Sequence, residues 1–337
     1  MNVMLPTEGS EALKEALESV DRILIVTHVN PDGDAVGSVL GLRGILEAAG
    51  KRAEVVLAGD ISSKYQFLID RPVLHVGDPL LSSLTEEDLF QIVIFVDASE
   101  RERVGSVLDR LHTWLVEGAP EVNIDHHISN NRFGDIVIVD PERASSAELV
   151  MSVAQELGIE LTSGIADQLF AAILTDTGRF QYINTDEHCL RAAAALVEAG
   201  ADPSRIAQRI YLERPVLFYQ LLGHLLSTIE LYHDGRTCVM TMPRELVANF
   251  FPDGNMDSEG IVDFTVQMEN IEVGIFIRQT GEGVYRASLR SRGTVDVQRI
   301  VETFSGGGHE SAAGCEVFGP QEEVKERIVT EVGKWLT

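Results

Sequence analysis

The sequence predicts an α/β fold, in which an N-terminal parallel sheet carries helices on both faces and a smaller C-terminal α/β domain follows a helical linker. Three observations lead there. Short continuous apolar runs, such as those at 23–27 and 92–96, have the character of strands buried on both faces. These runs alternate with helical patterns, as a layered α/β domain requires. The chain has 337 residues, which suggests two domains.

Residues 10–19 read as a short helix with Ser10 as its N-cap. The apolar run 23–27 leads into the polar loop His28-Val29-Asn30-Pro31-Asp32-Gly33-Asp34. A helix rich in small residues follows from Ala35 to Ala49 and closes at Gly50, a residue suited to a C-terminal cap. Further strands are expected at 53–57, 92–96, 122–124 and 136–139, and helices at 144–157 and 163–178. Residues 188–232 read as mostly helical, punctuated by Pro203 and Pro215. Strand patterns return at 236–242, 271–279 and 283–290, then a helix at 296–304, a glycine-rich loop and a last helix at 320–335. The domains are therefore expected at 1–187 and 233–337, with 188–232 as the linker.

Composition narrows the function. The net charge of -26 argues against a long nucleic-acid partner, which binds through an extended basic surface. A small anion held by a local cationic pocket or by metals remains compatible. The 5 lysines are few against 22 arginines, and none lies between Lys64 and Lys325. That gap removes a P-loop lysine, a Schiff-base lysine and a mid-chain phosphatase lysine. Arginine's bidentate fork is still available for phosphate. Cys189, Cys238 and Cys315 stand in no metal-ligand spacing and fit a reducing cytoplasm. No apolar stretch has the ~20 residues of a membrane span. The opening residues lack the pattern of a secretory leader.

Three expected strands end in acids and imidazoles. The run 23–27 ends at His28, with Asp32 and Asp34 beyond; 92–96 ends at Asp97; 122–124 ends at Asp125-His126-His127. In an open parallel sheet, ligands bind outside the carboxyl ends of the strands, so these clusters are expected to meet at one edge. Asp176 adds another acid at the end of an apolar helical stretch. Singly, each acid could be a cap or turn residue. Together, desolvated carboxylates with no nearby lysine need a cation, and a mixed carboxylate–imidazole set suits manganese or a similar first-row metal over calcium.

A second pattern lies in 285–292, where a period of two puts Arg286, Ser288, Arg290 and Arg292 on one face. It is followed by Ser305-Gly306-Gly307-Gly308-His309, whose glycines let backbone amides approach an anion. Either segment alone reads as a solvated strand face or an ordinary loop.

The stretch His28-Val-Asn-Pro-Asp32-Gly-Asp34-Ala-Val-Gly37-Ser38, with Asp97, Asp125-His126-His127 and Thr175-Asp176-Thr177-Gly178, resembles the four motifs of the DHH phosphoesterase superfamily, in that order. The C-terminal part resembles the DHH-associated domain and its Gly-Gly-Gly-His motif. The resemblance implies two divalent cations, most often Mn²⁺. His28 and Asp32 would hold one, Asp34, His126 and Asp176 the other, and Asp97 would bridge both. His127 would face the substrate phosphate, with Asp125 orienting the histidines. Water activated between the two cations would attack the ester. In the second domain, Arg290, Arg292, Gly307, Gly308 and His309 would bind the non-scissile part of the substrate, with Arg179 a further phosphate contact.

Length and the compact second domain are most similar to the nanoRNase/pAp-phosphatase branch. That branch implies short RNA, dinucleotides and 3′-phosphoadenosine 5′-phosphate (pAp) as substrates, in a cytoplasmic enzyme with no long duplex and no membrane partner; a homodimer is compatible. Hydrolysis of linear or cyclic dinucleotides, or of polyphosphate, on the same site is the alternative. A non-catalytic nucleotide sensor would be expected to have lost a metal ligand, and all eight positions are intact.

Overall fold

The computed structural model describes residues 9–251, 256, 258, 260–293 and 295–336. The chain divides into two compact units, Met1–Glu213 and Arg214–Thr337.

In the first unit, helix α1 (Ser10–Glu18) precedes β1 (Arg22–Val26), α2 (Gly33–Ala48), β2 (Arg52–Leu57), β3 (Leu74–His75), β4 (Ile92–Val96), β5 (Glu121–Asp125) and β6 (Ile136–Val139). Three long helices follow: α3 (Ser146–Leu157), α4 (Ser163–Asp176) and α5 (Glu187–Glu198). The cap of α1 is Gly9, at φ 91°, and Ser10 is instead a buried first-turn residue. Gly9 sits against the Val137 carbonyl, where a side chain would collide.

The six strands pair in the order β3-β2-β1-β4-β5-β6, all parallel. β4 is buried along its whole length and β1 at all but its first residue, which explains their unbroken apolar sequences. One face packs on α2, α3 and α4 through residues such as Ile25, Val39, Ile94 and Leu169; the other packs on Val104, Val107 and Trp114. The direction of strand order reverses between β1 and β4, and the carboxyl ends of strands at such a switch point are where α/β sheets bind ligands.

Helices α2 and α4 lie unusually close. Gly33, Gly37, Gly41 and Gly44 face Thr175, Gln168 with Ala172, Leu169 and Ile165 in turn, and a Cβ at any of the four would collide. This packing brings the start of α2, with Asp32 and Asp34, beside Asp176 at the end of α4.

The expected linker 188–232 is shared between the units. Cys189, Ala192, Leu196, Ile206 and Ile210 belong to the first core. The helix α6 (Val216–Leu226) instead packs Phe218, Leu221, Leu222 and Leu225 against Met240, Met242 and Phe276 of the second unit.

The second unit is built on a mixed sheet of β7 (Glu230–Tyr232), β8 (Thr237–Met242), β9 (Val273–Gly281), β10 (Val284–Ser291), β11 (Gly307–His309) and β12 (Ala312–Phe318), in the order β11-β12-β10-β9-β8-β7. Helices α7 (Val297–Glu302) and α8 (Gln321–Gly333) cover one face through Val297, Ile300, Val324 and Ile328. The glycine stretch expected as a loop is therefore one arm of a hairpin. Alternation in β12 buries Ala313, Cys315 and Val317, and that burial fixes the pairing. No helix among the described residues is long and apolar enough to cross a membrane.

Candidate metal centre

Strand register gathers the first group of site residues. Val26 pairs with Phe95, and Val96 with Ile124, so β1, β4 and β5 end side by side. His28, Asp97, Asp125 and His126 therefore emerge at one edge. Asp97 departs from the strand at φ 58°, a left-handed conformation uncommon for a residue with a side chain. Its carboxylate is buried at 2% exposure and accepts a hydrogen bond from Ser146 Oγ at 3.0 Å.

The distances define two sets that share Asp97. His28 Nε2 lies 3.5 Å from Asp97 Oδ2 and 3.9 Å from Asp32 Oδ1. His126 Nε2 lies 3.7 Å from Asp97 Oδ1, 3.5 Å from Asp34 Oδ2 and 3.2 Å from Asp176 Oδ2. In each of the triads His28/Asp32/Asp97 and Asp34/Asp97/His126, one atom per residue comes within 4.8 Å of the others. Six side chains that span nearly 150 residues of sequence thus meet. Asp32 also caps α2 by accepting from the Ala35 N–H.

Both histidines are held by their far nitrogens. His28 Nδ1 is 2.8 Å from the Val29 carbonyl and His126 Nδ1 is 3.0 Å from the Arg143 carbonyl. A carbonyl only accepts, so Nδ1 carries the proton and Nε2 is directed to the carboxylates. His127 differs. Its Nδ1 is 2.7 Å from Asp125 Oδ1, and the other Asp125 oxygen accepts from Asn130 Nδ2 at 2.5 Å.

Charge explains what this geometry can hold. Burial opposes a charge on Asp34, and the neighbouring Asp97 and Asp176 carboxylates add to this, so its proton affinity rises well above normal. Burial likewise raises Asp176 to about 7. Asp97 is also buried, but the hydrogen bond from His28 and the fields of His127 and His126 outweigh that and hold it well below the usual range. Burial disfavours charged imidazoles, yet the bond to Asp97 with the charge of Asp32 raises His28 to about 9. Asp176, Asp34 and Asp97 raise His126 to about 10. Divalent cations would balance the buried carboxylates, and a carboxylate–imidazole donor set fits them.

Two residues that carry no signal in the sequence pattern, and one that does, complete the support of Asp34. Its oxygens accept from Ser146 N at 2.7 Å, Ala147 N at 3.3 Å and Ser38 Oγ at 2.9 Å. Ser38 alone among them has a legible position, since it stands four residues after Asp34 on α2. Ser146 at a helix start looks like any capping serine. Arg179 lies outside the cluster. Gly178, Arg179 and Phe180 form a left-handed turn (φ 53°, 66° and 60°), and the Arg179 guanidinium stacks 4.9 Å over the Tyr211 ring.

The second group belongs to the mixed sheet of the second unit. Arg290 pairs with Ala312, which pairs with His309; Ser288 pairs with Gly314, which pairs with Gly307. Residues directly opposite share a face, so Arg290 and His309 flank a floor of Ala312 and Gly314. Arg290 Nε also donates to Asp263 Oδ1 at 3.1 Å. Arg292 is drawn elsewhere: its Nε and Nη2 donate to the Val266 and Met268 carbonyls at 2.8 and 2.9 Å. Gly308, at φ 146°, crowds the Ala312 carbonyl, whereas a Cβ at Gly307 would meet open space.

The carboxyl edge of this parallel sheet gathers acid–imidazole sets that could hold metal ions. The chain belongs to the DHH family of phosphoesterases. Residues 22–173 match the DHH family, N-terminal domain, and residues 247–337 match the DHHA1 domain. The Thermus thermophilus bifunctional oligoribonuclease and PAP phosphatase NrnA is 35% identical over 98% of this chain and 95% of its own length. The Bacillus subtilis protein of the same name is 26% identical over 93% and 94%. The Listeria monocytogenes cyclic-di-AMP phosphodiesterase PdeA is 26% identical over 97% of this chain and 48% of its own length. A crystal structure of an exopolyphosphatase-related protein from Bacteroides fragilis superposes with a TM-score of 0.86 at 26% identity, covering 97% of this chain and 96% of that one.

Proposed function

We propose that this chain is a manganese-dependent phosphoesterase that hydrolyses short oligoribonucleotides and pAp. The observation that carries the reading is the sharing of Asp97 between two acid–imidazole sets, in a backbone conformation that aims its carboxylate at both. The substrate class is supported by relatives named as oligoribonucleases and PAP phosphatases along almost the whole chain.

In this reading His28 and Asp32 would hold one cation, Asp34, His126 and Asp176 the other, with Asp97 available to both. When bound, the two cations supply an activated water and neutralise charge on the phosphate. Asp125 keeps the His127 proton at Nδ1 and orients the ring, so that Nε2 is presented to a substrate oxygen. Burial works against charge on His127, but Asp125 and Asp97 raise its pKa. A proton is thereby available for the departing oxygen. In the second unit, Arg290, Gly307, Gly308 and His309 receive the nucleotide end remote from the scissile bond. Arg292 orders the 266–268 backbone beside them, and Arg179 is a further phosphate contact. The buried, unpaired cysteines suit a cytoplasmic protein.

The test is a panel of a dinucleotide, pAp, cyclic di-AMP and polyphosphate, each with Mn²⁺ and with chelator. Turnover of the dinucleotide and pAp that chelation abolishes is the expected result. Exclusive turnover of cyclic di-AMP would favour the second reading, which the likeness to PdeA motivates. Full turnover after exhaustive chelation would overturn the metal mechanism.

A further inference from the structure

The groups assigned to the cations arise from separate elements, namely the loop after β1, the start of α2, the end of β4, the loop after β5 and the end of α4. Such groups must keep their mutual placement to within roughly 0.5 Å to work together. One short backbone segment touches three of them. In the turn that leads into α3, the Arg143 carbonyl accepts from His126 Nδ1 at 3.0 Å. Ser146 and Ala147 give their N–H groups to Asp34, and Ser146 Oγ donates to Asp97. Whatever fixes residues 143–147 therefore fixes His126, Asp34 and Asp97 relative to one another.

Two side chains outside the site grip this turn at a single residue, one at its N–H and one at its carbonyl. Glu148 Oε2 accepts the Ala144 N–H at 2.6 Å, and Asn184 Nδ2 donates to the Ala144 carbonyl at 3.2 Å. Asn184 Nδ2 is also 3.1 Å from the carbonyl of Asp176, so it ties the turn to the acid at the end of α4. Glu148 is an expensive residue to place here. It is fully buried, and its Oε1 has no hydrogen-bond partner among the described residues. Burying a carboxyl group on a single N–H bond adds little to folding, which a packed apolar side chain would serve better. A glutamate at the third position of a helix ordinarily caps its own helix by reaching the cap residue's N–H. Glu148 reaches one residue further back, to the turn.

We propose that Glu148 and Asn184 are positioning residues that hold the 143–147 turn, and through it the His126 imidazole and the Asp34 and Asp97 carboxylates, in the arrangement that receives the cations. The inference rests on the function proposed above. It goes beyond it in assigning two residues that touch neither the cations nor the ester.

The test uses the full chain and Mn²⁺ alone. Wild type, Glu148→Ala, Glu148→Gln and Asn184→Ala are titrated with Mn²⁺ by calorimetry, alongside thermal midpoints, dinucleotide kinetics and the proton resonance of His126 Nδ1–H. Loss of support around ligands typically weakens metal binding about 10–100-fold, and at least the lower end is expected for Glu148→Ala and Asn184→Ala. kcat should fall with KM little changed, and the Nδ1 proton should exchange faster. Glu148→Gln retains an oxygen for the Ala144 N–H and should recover most of the Mn²⁺ affinity. A helix-capping role alone would lower the thermal midpoint and leave Mn²⁺ affinity and the Nδ1 resonance as in wild type; that result overturns the proposal. If Glu148→Ala fails to fold, Asn184→Ala decides, because Asn184 is only half-buried. Weakened Mn²⁺ binding in the variants of a chain that cleaves no ester on the panel would sink the function and leave the positioning role standing. A wild-type chain that binds no Mn²⁺ would overturn both.

Discussion

Both units are built on a six-stranded sheet, and the two sheets treat their polar residues differently. In the parallel sheet every strand ends at the same edge, so a residue or two beyond β1, β4 and β5 is enough to bring His28, Asp97 and His126 together. Their charges cannot be explained by folding, because apolar residues would occupy that buried edge at lower cost. In the mixed sheet most neighbours run in opposite directions. Polar residues there lie in rows on an accessible face, and several find local partners: Arg290 with Asp263, Arg292 with two carbonyls. Convergence in the first unit is thus strong testimony of function. The row in the second unit needs kinetics to separate grip from scaffold.

The largest effect that would sharpen this contrast belongs to Asp97→Asn. Asparagine tolerates the left-handed backbone, so the fold should survive. The loss of a shared cation ligand should lower kcat by about a thousandfold or more, since the cations supply several kcal/mol of charge stabilisation. Elemental analysis should show depleted metal. Normal metal content with near-normal turnover would reduce Asp97 to a strand-end residue and remove the contrast between the sheets.

The site is legible in the sequence to the extent that it depends on strand ends. The runs 23–27, 92–96 and 122–124 announce their own polarity change, and parallel topology does the rest. The supporting shell is not legible, because Ser146, Asn184 and Glu148 act through contacts that only folding brings together. The glycine stretch reads as a loop because three glycines carry no β signal; the neighbouring alternation in Ala312–Phe318 is the signal to follow. The α2 glycines fit a small-residue helix, but their partner α4 lies more than 100 residues away.

Next in size are Arg290→Ala and His309→Ala. Each removes a donor at one flank of the Ala312–Gly314 floor. A hydrogen bond to a charged group contributes roughly 1.5–3 kcal/mol, so KM for a dinucleotide should rise about tenfold to a hundredfold. Bound manganese should be unchanged. Equal rates on RNAs of two, five and twenty-four nucleotides with unaltered KM would show that the accessible row is scaffold only.

Gly37→Ala examines the first unit in the opposite sense, through packing instead of charge. In most helices this exchange stabilises by about 1 kcal/mol. Here the added methyl would meet the Gln168 carbonyl and Ala172 of α4, and overpacking of that kind costs roughly 1–3 kcal/mol. A lowered midpoint of denaturant unfolding is expected, with weakened metal binding because α2 carries Asp32 and Asp34 and α4 carries Asp176. A stabilised variant would show that the helix pair has room to spare.

The smallest effect is expected at Gly307, and it discriminates most finely between the two kinds of glycine in the hairpin. Gly308 is required by the fold, since its φ of 146° and its approach to the Ala312 carbonyl leave no place for a side chain. Gly307 has no such constraint. An added Cβ there meets nothing within 4 Å, and the residue shares its face with Ser288 and Gly314. Gly307→Ala should therefore alter stability by no more than about 0.5 kcal/mol, as for an ordinary surface change. Any constraint at this position must come from a ligand that approaches the backbone closely. KM for the dinucleotide should accordingly rise by a few-fold while kcat and manganese content hold. Gly308→Ala should lower stability first, by roughly 1–3 kcal/mol. If both variants behave alike, either in stability or in KM, then the open space beside Gly307 is not where the nucleotide sits.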